Sequence, residues 1–313
     1  MKQRKENKMS SDKSNVGGIY TTSEKVSGWI IHFVMILLCI ITAVLFLVVV
    51  GVSFQNQTEI NEIGFRIIPK KFSLEAYETI FKNSKSIVDA YSITILTTVV
   101  GAVAGTAIMS GYGYAISRRD FKYRKLLSWA NLITMLFNGG LVATYIVYTR
   151  WFGLKNNILV LILPLMFNPW NVILMKSFFS AIPMSIIEAS KIDGASEFRT
   201  FLQIVIPMSK PVIAMILLFQ TLVYWNDYQS SLMYTTNEAL YKLQYLLMKI
   251  LTDMDFINSG MAADAGVVLE NVVIPTKNVR MAMCVVAAGP MLCIFPFFQK
   301  YFTKGITLGG VKE

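Results

Sequence analysis

Charge is scarce in this chain. Of its 313 residues only 15% are Asp, Glu, Lys or Arg and 54% are hydrophobic, against roughly 25% charged in an ordinary soluble domain. Too little polar surface is available to cover a water-soluble globule, so a bilayer is the solvent that fits. Histidine is almost missing: one residue, His32, removes most zinc and imidazole chemistry from consideration. Cys39, Cys284 and Cys293 all lie in apolar runs without Cys-x-x-Cys spacing, which excludes a disulfide framework and a thiolate metal site. No G-x-x-x-x-G-K-[ST] phosphate loop occurs, so the chain does not bind ATP in the Walker manner. No 20–50-residue period recurs and the second half does not echo the first, which disfavours a solenoid or a self-contained two-repeat carrier. An integral membrane enzyme would need a reactive constellation that these residues do not supply.

What is present is a set of six windows free of Lys, Arg, Asp and Glu: Val26–Thr58, Ala90–Ser117, Leu126–Thr149, Asn156–Met175, Pro211–Asn226 and Met281–Gln299. Most reach the 20 or so residues a helix needs to cross about 30 Å of hydrocarbon. The fold class expected is all-α and polytopic, with six transmembrane helices near 29–53, 89–116, 126–149, 156–180, 209–233 and 279–302. The fifth window is short, and attains full length only if Asp227 lies in the membrane, which makes that carboxylate a functional candidate.

The formal net charge of +10 suggests nucleic acid at first, but the basic residues sit between apolar runs rather than on one soluble face, so no nucleic-acid partner is expected. They instead report topology. With the N-terminus in the cytoplasm, that side holds 18 Lys and Arg against 8 Asp and Glu, and the other side 11 against 11. The positive-inside rule therefore places both termini in the cytoplasm. The first apolar run is too long for a cleaved signal peptide. Residues 1–28 read as a polar, disordered cytoplasmic segment and 29–313 as the transmembrane domain. Two outer segments have local structure. Ser73 can cap a short helix in FSLEAYETIF. In the outer loop 234–278, Leu240, Leu243, Leu247 and Ile250 form an apolar helical face for the membrane or a partner.

The loop 181–211, AIPMSIIEASKIDGASEFRTFLQIVIPMSKP, differs from the rest. Ser185 and Glu188 have capping-box spacing, and Gly194 suits a left-handed turn after Asp193. Ser196 can cap a second helix with Phe198, Phe201, Leu202 and Val205 on one face, stopped by Pro207 and Pro211. Physics alone allows an ordinary interfacial hairpin. The residue order, however, resembles the EAA motif of binding-protein-dependent ABC importer permeases: Glu188-Ala189-Ser190, then Asp193-Gly194-Ala195, then Ile206-Pro207. The family pattern has Ala where Ser190 stands and usually Leu where Ile206 stands. The stretches FSLEAYETIF, FNGGLVATY, the run Asn171 to Met175 and FPFFQKYFTKGITLGG extend the likeness to the carbohydrate permeases of MalG type, in the LplC/YtcP subgroup.

The resemblance implies a type I, MetI-like permease fold, with no catalysis and no cofactor in this chain. It implies a second homologous permease, generally in a heterodimer, two cytoplasmic ATPase subunits that bind ATP and Mg, and an extracytoplasmic sugar-binding protein, all at a bacterial cytoplasmic membrane. It also implies that Glu188, Ala189, Ser190, Asp193, Gly194, Ala195, Ile206 and Pro207 form the ATPase-coupling segment. The substrate expected is a carbohydrate, most readily an oligosaccharide.

Candidates for the sugar path come from the residues. Gln220, Tyr224, Asp227, Tyr228 and Ser231 fall on one face of a continuous fifth helix, with the hydrogen-bonding and aromatic chemistry a sugar needs; the same residues would serve equally to join helices. In the fourth span Pro169 should kink the helix, and Asn168, Trp170 and Asn171 beside it offer amides and a ring. Asn138-Gly139-Gly140 reads as close helix packing, His32 as a hydrogen bonder, Asp253 and Asp255 as solvated surface, and Arg118-Arg119 to Arg124-Lys125 as topology anchoring beside anionic lipid. The competing class is a secondary transporter or channel with Asp227 as its ion site. Topology is checked by single cysteines in a Cys-free background: those at Ser11, Ser196 and Thr307 should resist an impermeant thiol reagent in intact cells, those at Asn56 and Ser259 should react, and labelling of Ser196 from outside would invert the assignment.

Overall fold

A computed structural model of the chain describes residues 22–81, 84–258 and 277–309. Every regular element among them is helical. Residues 1–21 of the expected irregular start, the Ser11 and Ser259 probes and residues 259–276 of the expected outer loop 234–278 lie outside the described residues.

Helix α1, Thr22–Ser53, begins ahead of the expected residue 29. After it come α2, Gln57–Ile63, α3, Glu75–Phe81, and the long α4, Ser84–Ser117. Ser73 caps α3 as expected, accepting from the Glu75 N–H at 3.3 Å. Within α1, α4 and the last helix, Lys277–Gly309, lie predominantly apolar segments of 26, 33 and 23 residues, each long enough at about 1.5 Å per residue to cross the hydrocarbon. The face of α1 over residues 29–47 is exposed all round, as lipid solvation requires.

The other three expected spans are broken. In the third, α5, Arg124–Leu136, and α6, Gly140–Ile146 with its π turn Val147–Trp151, meet at 116°. Asn138 and Gly140 make the break: the Asn138 Oδ1 accepts from the Gly140 N–H at 2.9 Å and Gly140 has φ +80°, a conformation glycine adopts without penalty. The expectation of close packing through these glycines is overturned, since a Cβ on Gly140 would meet nothing within 4 Å. In the fourth, short 3-10 turns at Ile158–Leu161 and Leu163–Leu165 lead at 52° into α7, Pro169–Ser180. Pro169 does not kink a helix. It is the first residue of one, where its missing N–H costs nothing, and Asn168 caps it by accepting from the Trp170 N–H at 2.9 Å.

The hairpin of loop 181–211 follows: α8, Met184–Ile192, then α9, Glu197–Thr200, a π turn Phe201–Val205, and α10, Ile206–Met208. An 85° bend leads into α11, Lys210–Trp225. Pro207 lies inside α10 and Pro211 inside the first turn of α11, so neither prevents helix there. Helix α11 stops at Trp225 and resumes only as α12, Gln229–Tyr234. The stripe from Gln220 to Ser231 therefore spans a break and does not run along one helix. Helices α13, Leu243–Asn258, and α14, Lys277–Gly309, complete the described chain.

Helix α4 is the post against which α5, α7, α11 and α13 pack. Leu243 and Leu247 of α13 are buried with Ile80, Ile87, Trp225 and Met283, Ile250 packs against them, and Leu240 packs on Val160, Leu161 and Tyr234. The apolar face of Leu240, Leu243, Leu247 and Ile250 thus packs on this chain's own core rather than on a membrane or a partner. Gly101 and Gly105 of α4 permit close approach of α11 and of the broken fourth span. A Cβ on Gly101 would sit 2.2 Å from Tyr224 Cζ, and one on Gly105 2.6 Å from the Met166 carbonyl oxygen. Gly101→Ala should cost about 1–3 kcal/mol of overpacking and lower the melting temperature in detergent. Gly111→Ala, with nothing within 4 Å of its Cβ, should leave it unchanged or raise it; equal behaviour of the two would contradict this packing.

Candidate functional site

The hairpin is stiff for reasons that can be traced atom by atom. Helix α8 starts at Met184, two residues earlier than a Ser185 cap would give, because Pro183 with φ −55° and ψ 131° occupies the cap position. No side chain caps it, and Glu188 points outward, so the expected capping box does not form. The far end is as expected. Asp193 closes the helix, Gly194 has φ +77°, and the Gly194 and Ala195 N–H groups donate to the Lys191 and Ser190 carbonyls, both at 3.0 Å, which is the Schellman pattern. Ser196 then caps α9 by accepting from the Arg199 N–H at 3.3 Å. The two arms are joined through Ser190, whose hydroxyl donates to the Ile187 carbonyl at 2.7 Å and lies 3.0 Å from that of Thr200, both residues buried. The alanine usual at this motif position has no group for that link.

The apolar face expected on the second arm is divided. The Ile206 N–H donates back to Phe201 across a π turn, which rotates the helix so that Phe201 and Val205 face inward while Phe198 is 72% exposed. Ile192 is 86% exposed, and Glu188, Ala189 and Asp193 are also on the outside, with Ala195 and Ile206 half-buried and Pro207 exposed. A rigid corner thus carries large apolar side chains beside carboxylates, facing away from the body.

A charge cluster ties this corner to the end of α4. Lys191 Nζ lies 3.0 Å from Asp120 Oδ2 and 2.5 Å from Glu197 Oε1. Arg118 Nη2 lies 3.0 Å from the same Asp120 oxygen and 3.9 Å from Glu197 Oε1. The Tyr114 hydroxyl donates to Glu197 Oε2 at 2.8 Å. Arg118, expected to anchor topology beside lipid, is buried in this cluster instead. The Lys191 hydrogen bond holds Asp120 below the usual carboxylate range, and Lys191 is raised by Glu197 and Asp120. Burial pushes Glu197 up, but the hydrogen bonds from Lys191 and Tyr114 leave it lowered. For depressed carboxylates the contribution to docking is present above their unfolded values and lost as pH falls through the folded ones.

The polar residues of span five turn inward. The Tyr224 hydroxyl donates to the Ile162 carbonyl at 2.6 Å, and Gln220 Nε2 to the Leu165 and Met166 carbonyls at 3.2 and 3.3 Å. These are the carbonyls that the broken fourth span leaves open. Asp227 Oδ2 pairs with Lys242 Nζ at 3.0 Å, both side chains buried, and the same Nζ donates to the Tyr224 carbonyl at 2.7 Å. Ser231 Oγ accepts from the Lys242 N–H at 3.1 Å. Burial pushes the Lys242 ammonium below its usual range, against the pull of Asp227. Asn171 is buried, Asn168 is the α7 cap, and Trp170 and Tyr228 are 55% and 43% exposed. Lys242 was not singled out from sequence, although an intramembrane carboxylate without a counter-charge is itself the signal to look for one.

Over residues 14–308 the chain matches the family described as binding-protein-dependent transport system inner membrane component. Protein LplC of Bacillus subtilis (strain 168) is 36% identical over 272 residues, covering 87% of this chain and 90% of that one. The polygalacturonan/rhamnogalacturonan transport system permease protein YtcP of the same organism is 36% identical over 283 residues, 90% of this chain and 97% of that one. A solved bacterial ABC transporter involved in the import of the acidic polysaccharide alginate has a chain with TM-score 0.76 and 24% identity, over 91% of this chain and 99% of that chain, a likeness of fold.

The buried pair makes a measurable claim. Lys242→Met strands the Asp227 charge and should cost about 3–5 kcal/mol, lowering the melting temperature in nanodiscs, whereas adding Asp227→Asn should recover most of the loss. A double variant as unstable as the single one would mean the two do not act as a pair.

Proposed function

This chain belongs to the family of binding-protein-dependent transport system inner membrane components, and from that premise we propose that it imports an oligosaccharide as one half of a two-permease pore. It is a non-catalytic permease subunit of an ABC transporter, embedded in the membrane. The observation that supports the coupling role is the rigid, outward-facing corner at Glu188 to Ala195, joined by charge to α4. Its exposed Ile192 and Phe198 suit the apolar cleft of a cytoplasmic ATPase, and Glu188 and Asp193 suit a basic rim. ATP and Mg belong to two such subunits and supply the energy for closure. What this chain's residues do is transmit it: displacement of the corner pulls on Lys191 and Glu197, these pull on Asp120 and Arg118, and α4 moves the broken spans α7 and α11 packed against it.

The reading extends to a second homologous permease in a heterodimer, an extracytoplasmic sugar-binding protein, and a bacterial cytoplasmic membrane with both termini on the ATPase side. Residues 29–313 form the transmembrane domain, with the coupling loop at 181–211 and the outer loop at 234–278. Along the sugar path, the exposed Trp170 and Tyr228 rings are suited to stack on pyranose faces beside Asn168. Gln220, Tyr224, Asp227, Ser231 and Asn171 give the path its shape, from positions where their polar groups hold the broken spans together or are buried. The secondary carrier or channel is set aside, because family membership specifies an ABC permease and the Asp227 charge is met by Lys242.

Gly194→Val tests the coupling role. A β-branched residue at φ +77° costs about 1–2 kcal/mol and should tilt the two arms. Uptake and ATPase co-purification should be lost while the permeases still insert, and Glu188→Lys should weaken both by reversing a charge on the contact face. Normal uptake by both variants would reduce the hairpin to an ordinary loop.

A further inference from the structure

Between the end of α4, the start of α5 and the middle of α7 lies a cavity of about 850 Å³. Its wall carries five cations, Arg119, Lys122, Arg124, Lys125 and Lys176, the last brought from more than fifty residues away. Asp120 is the carboxylate on that wall, and it is already engaged by Arg118 and Lys191. Arg124 directs its Nε to the Ile116 carbonyl at 3.0 Å. Arg119, Lys122, Lys125 and Lys176 have no carboxylate partner among the described residues. A concave wall with this much uncompensated positive charge focuses potential and attracts an anion.

Two further features narrow the anion. The lining also carries the apolar Trp129, Leu132 and Ile173, and Trp129 and Leu132 continue into the exposed apolar face of α5 with Ile133 and Leu136. An anion with an attached hydrocarbon fits that division, whereas a free hydrophilic ion leaves half the wall without a partner. At the wall also stands Asn131, 3% exposed, whose Nδ2 donates to the Pro169 carbonyl at 3.2 Å and whose Oδ1 has no hydrogen-bond partner. A buried acceptor left unpaired is costly, so the site calls for a donor as well as a negative charge. A phosphodiester alone has no donor. A phosphodiester bearing a glycerol has two hydroxyls.

We propose that this cavity binds the phosphoglycerol headgroup of an anionic phospholipid, with the phosphate among Lys122, Lys125, Lys176 and Arg119, a glycerol hydroxyl donating to Asn131 Oδ1, and the acyl chains leaving along α5. The cluster around Arg119 to Lys125 is then a discrete site with contributions from α7, not merely a run of charge at a membrane surface.

The experiment uses the assembled complex, permeases with ATPase subunits, in detergent and read by native mass spectrometry. Phosphatidylglycerol, phosphatidylcholine and phosphatidylpropanol of identical acyl chains are added in equal amounts; phosphatidylpropanol keeps the single negative charge but has no hydroxyl. The wild type should retain phosphatidylglycerol over phosphatidylcholine by roughly tenfold or more, given the attraction each basic residue exerts on anionic lipid, and over phosphatidylpropanol by a smaller factor. Lys122→Gln/Lys125→Gln/Lys176→Gln should abolish the first preference. Asn131→Ala should abolish only the second. Equal retention of the three lipids, a triple variant that keeps its preference, or displacement by millimolar sodium phosphate or by an oligogalacturonate would each overturn the proposal. If the triple variant fails to assemble, the wild type decides: its preference over phosphatidylcholine must fall steeply with added salt, and a salt-independent preference counts against the site.

Discussion

Inside hydrocarbon no water stands ready to pair with a backbone group, so a membrane helix can break only where the protein itself supplies the partners. The fourth span breaks before Pro169, and the open carbonyls of Ile162, Leu165 and Met166 are met by Tyr224 and Gln220 from α11. Those side chains reach the break because α4 presents Gly101 and Gly105 beneath them, where a Cβ would occupy the space of the Tyr224 ring and of the Met166 carbonyl. Two glycines, two polar side chains and one broken span form a single solution. Changing any of them alone leaves a clash or an unpaired group at membrane depth, which explains why polar residues sit in a span that is otherwise apolar.

The same helix carries the charge clamp on the hairpin. Tyr114 and Arg118 lie at its end, Asp120 just beyond, and their partners Lys191 and Glu197 come from both arms of the hairpin. Because the arms are joined to each other through Ser190 and Thr200 and fixed at Gly194, the clamp grips a body and not a flexible loop. Under the proposed coupling role, a push on the corner would reach the packed spans through this stiff body.

Much of this was legible in the sequence, and the misses share a cause. Charge-free windows located the membrane segments because hydropathy is a local property; Ser73, Ser196 and Gly194 declared their roles because caps and left-handed turns depend on one or two residues. Helix continuity was not legible in the same way. Window hydropathy counts a helix broken at Asn138–Gly140 or at Asn168–Pro169 as one span, and Pro169 reads identically as a kink or as a first residue until the chain before it is seen to leave helix. Partners far apart in sequence were invisible: Asp120 with Lys191, Asp227 with Lys242, Lys176 with the basic cluster. The polar stripe was visible as chemistry, but whether its groups face a substrate or an open carbonyl depends on the break in another span.

The two charged locks at opposite ends of α4's packing partners differ in the quantity that governs motion. At the end away from the hairpin Asp227 and Lys242 are both withdrawn from water, with Lys242 further bound to the Tyr224 carbonyl, and separating such a pair leaves an uncompensated charge at a cost of about 3–5 kcal/mol. At the hairpin end only Arg118 is buried, while Asp120, Lys191 and Glu197 are each more than a third exposed, and water-exposed pairs are worth about 0–1 kcal/mol each and are replaced by hydration when they open. An element that must rock between two states needs one end that holds and one that yields. For the proposed coupling role the burial pattern suits the Asp227–Lys242 break to the part of fixed pivot, and the hairpin clamp to that of a joint whose several weak bonds exchange partners while the hairpin stays attached.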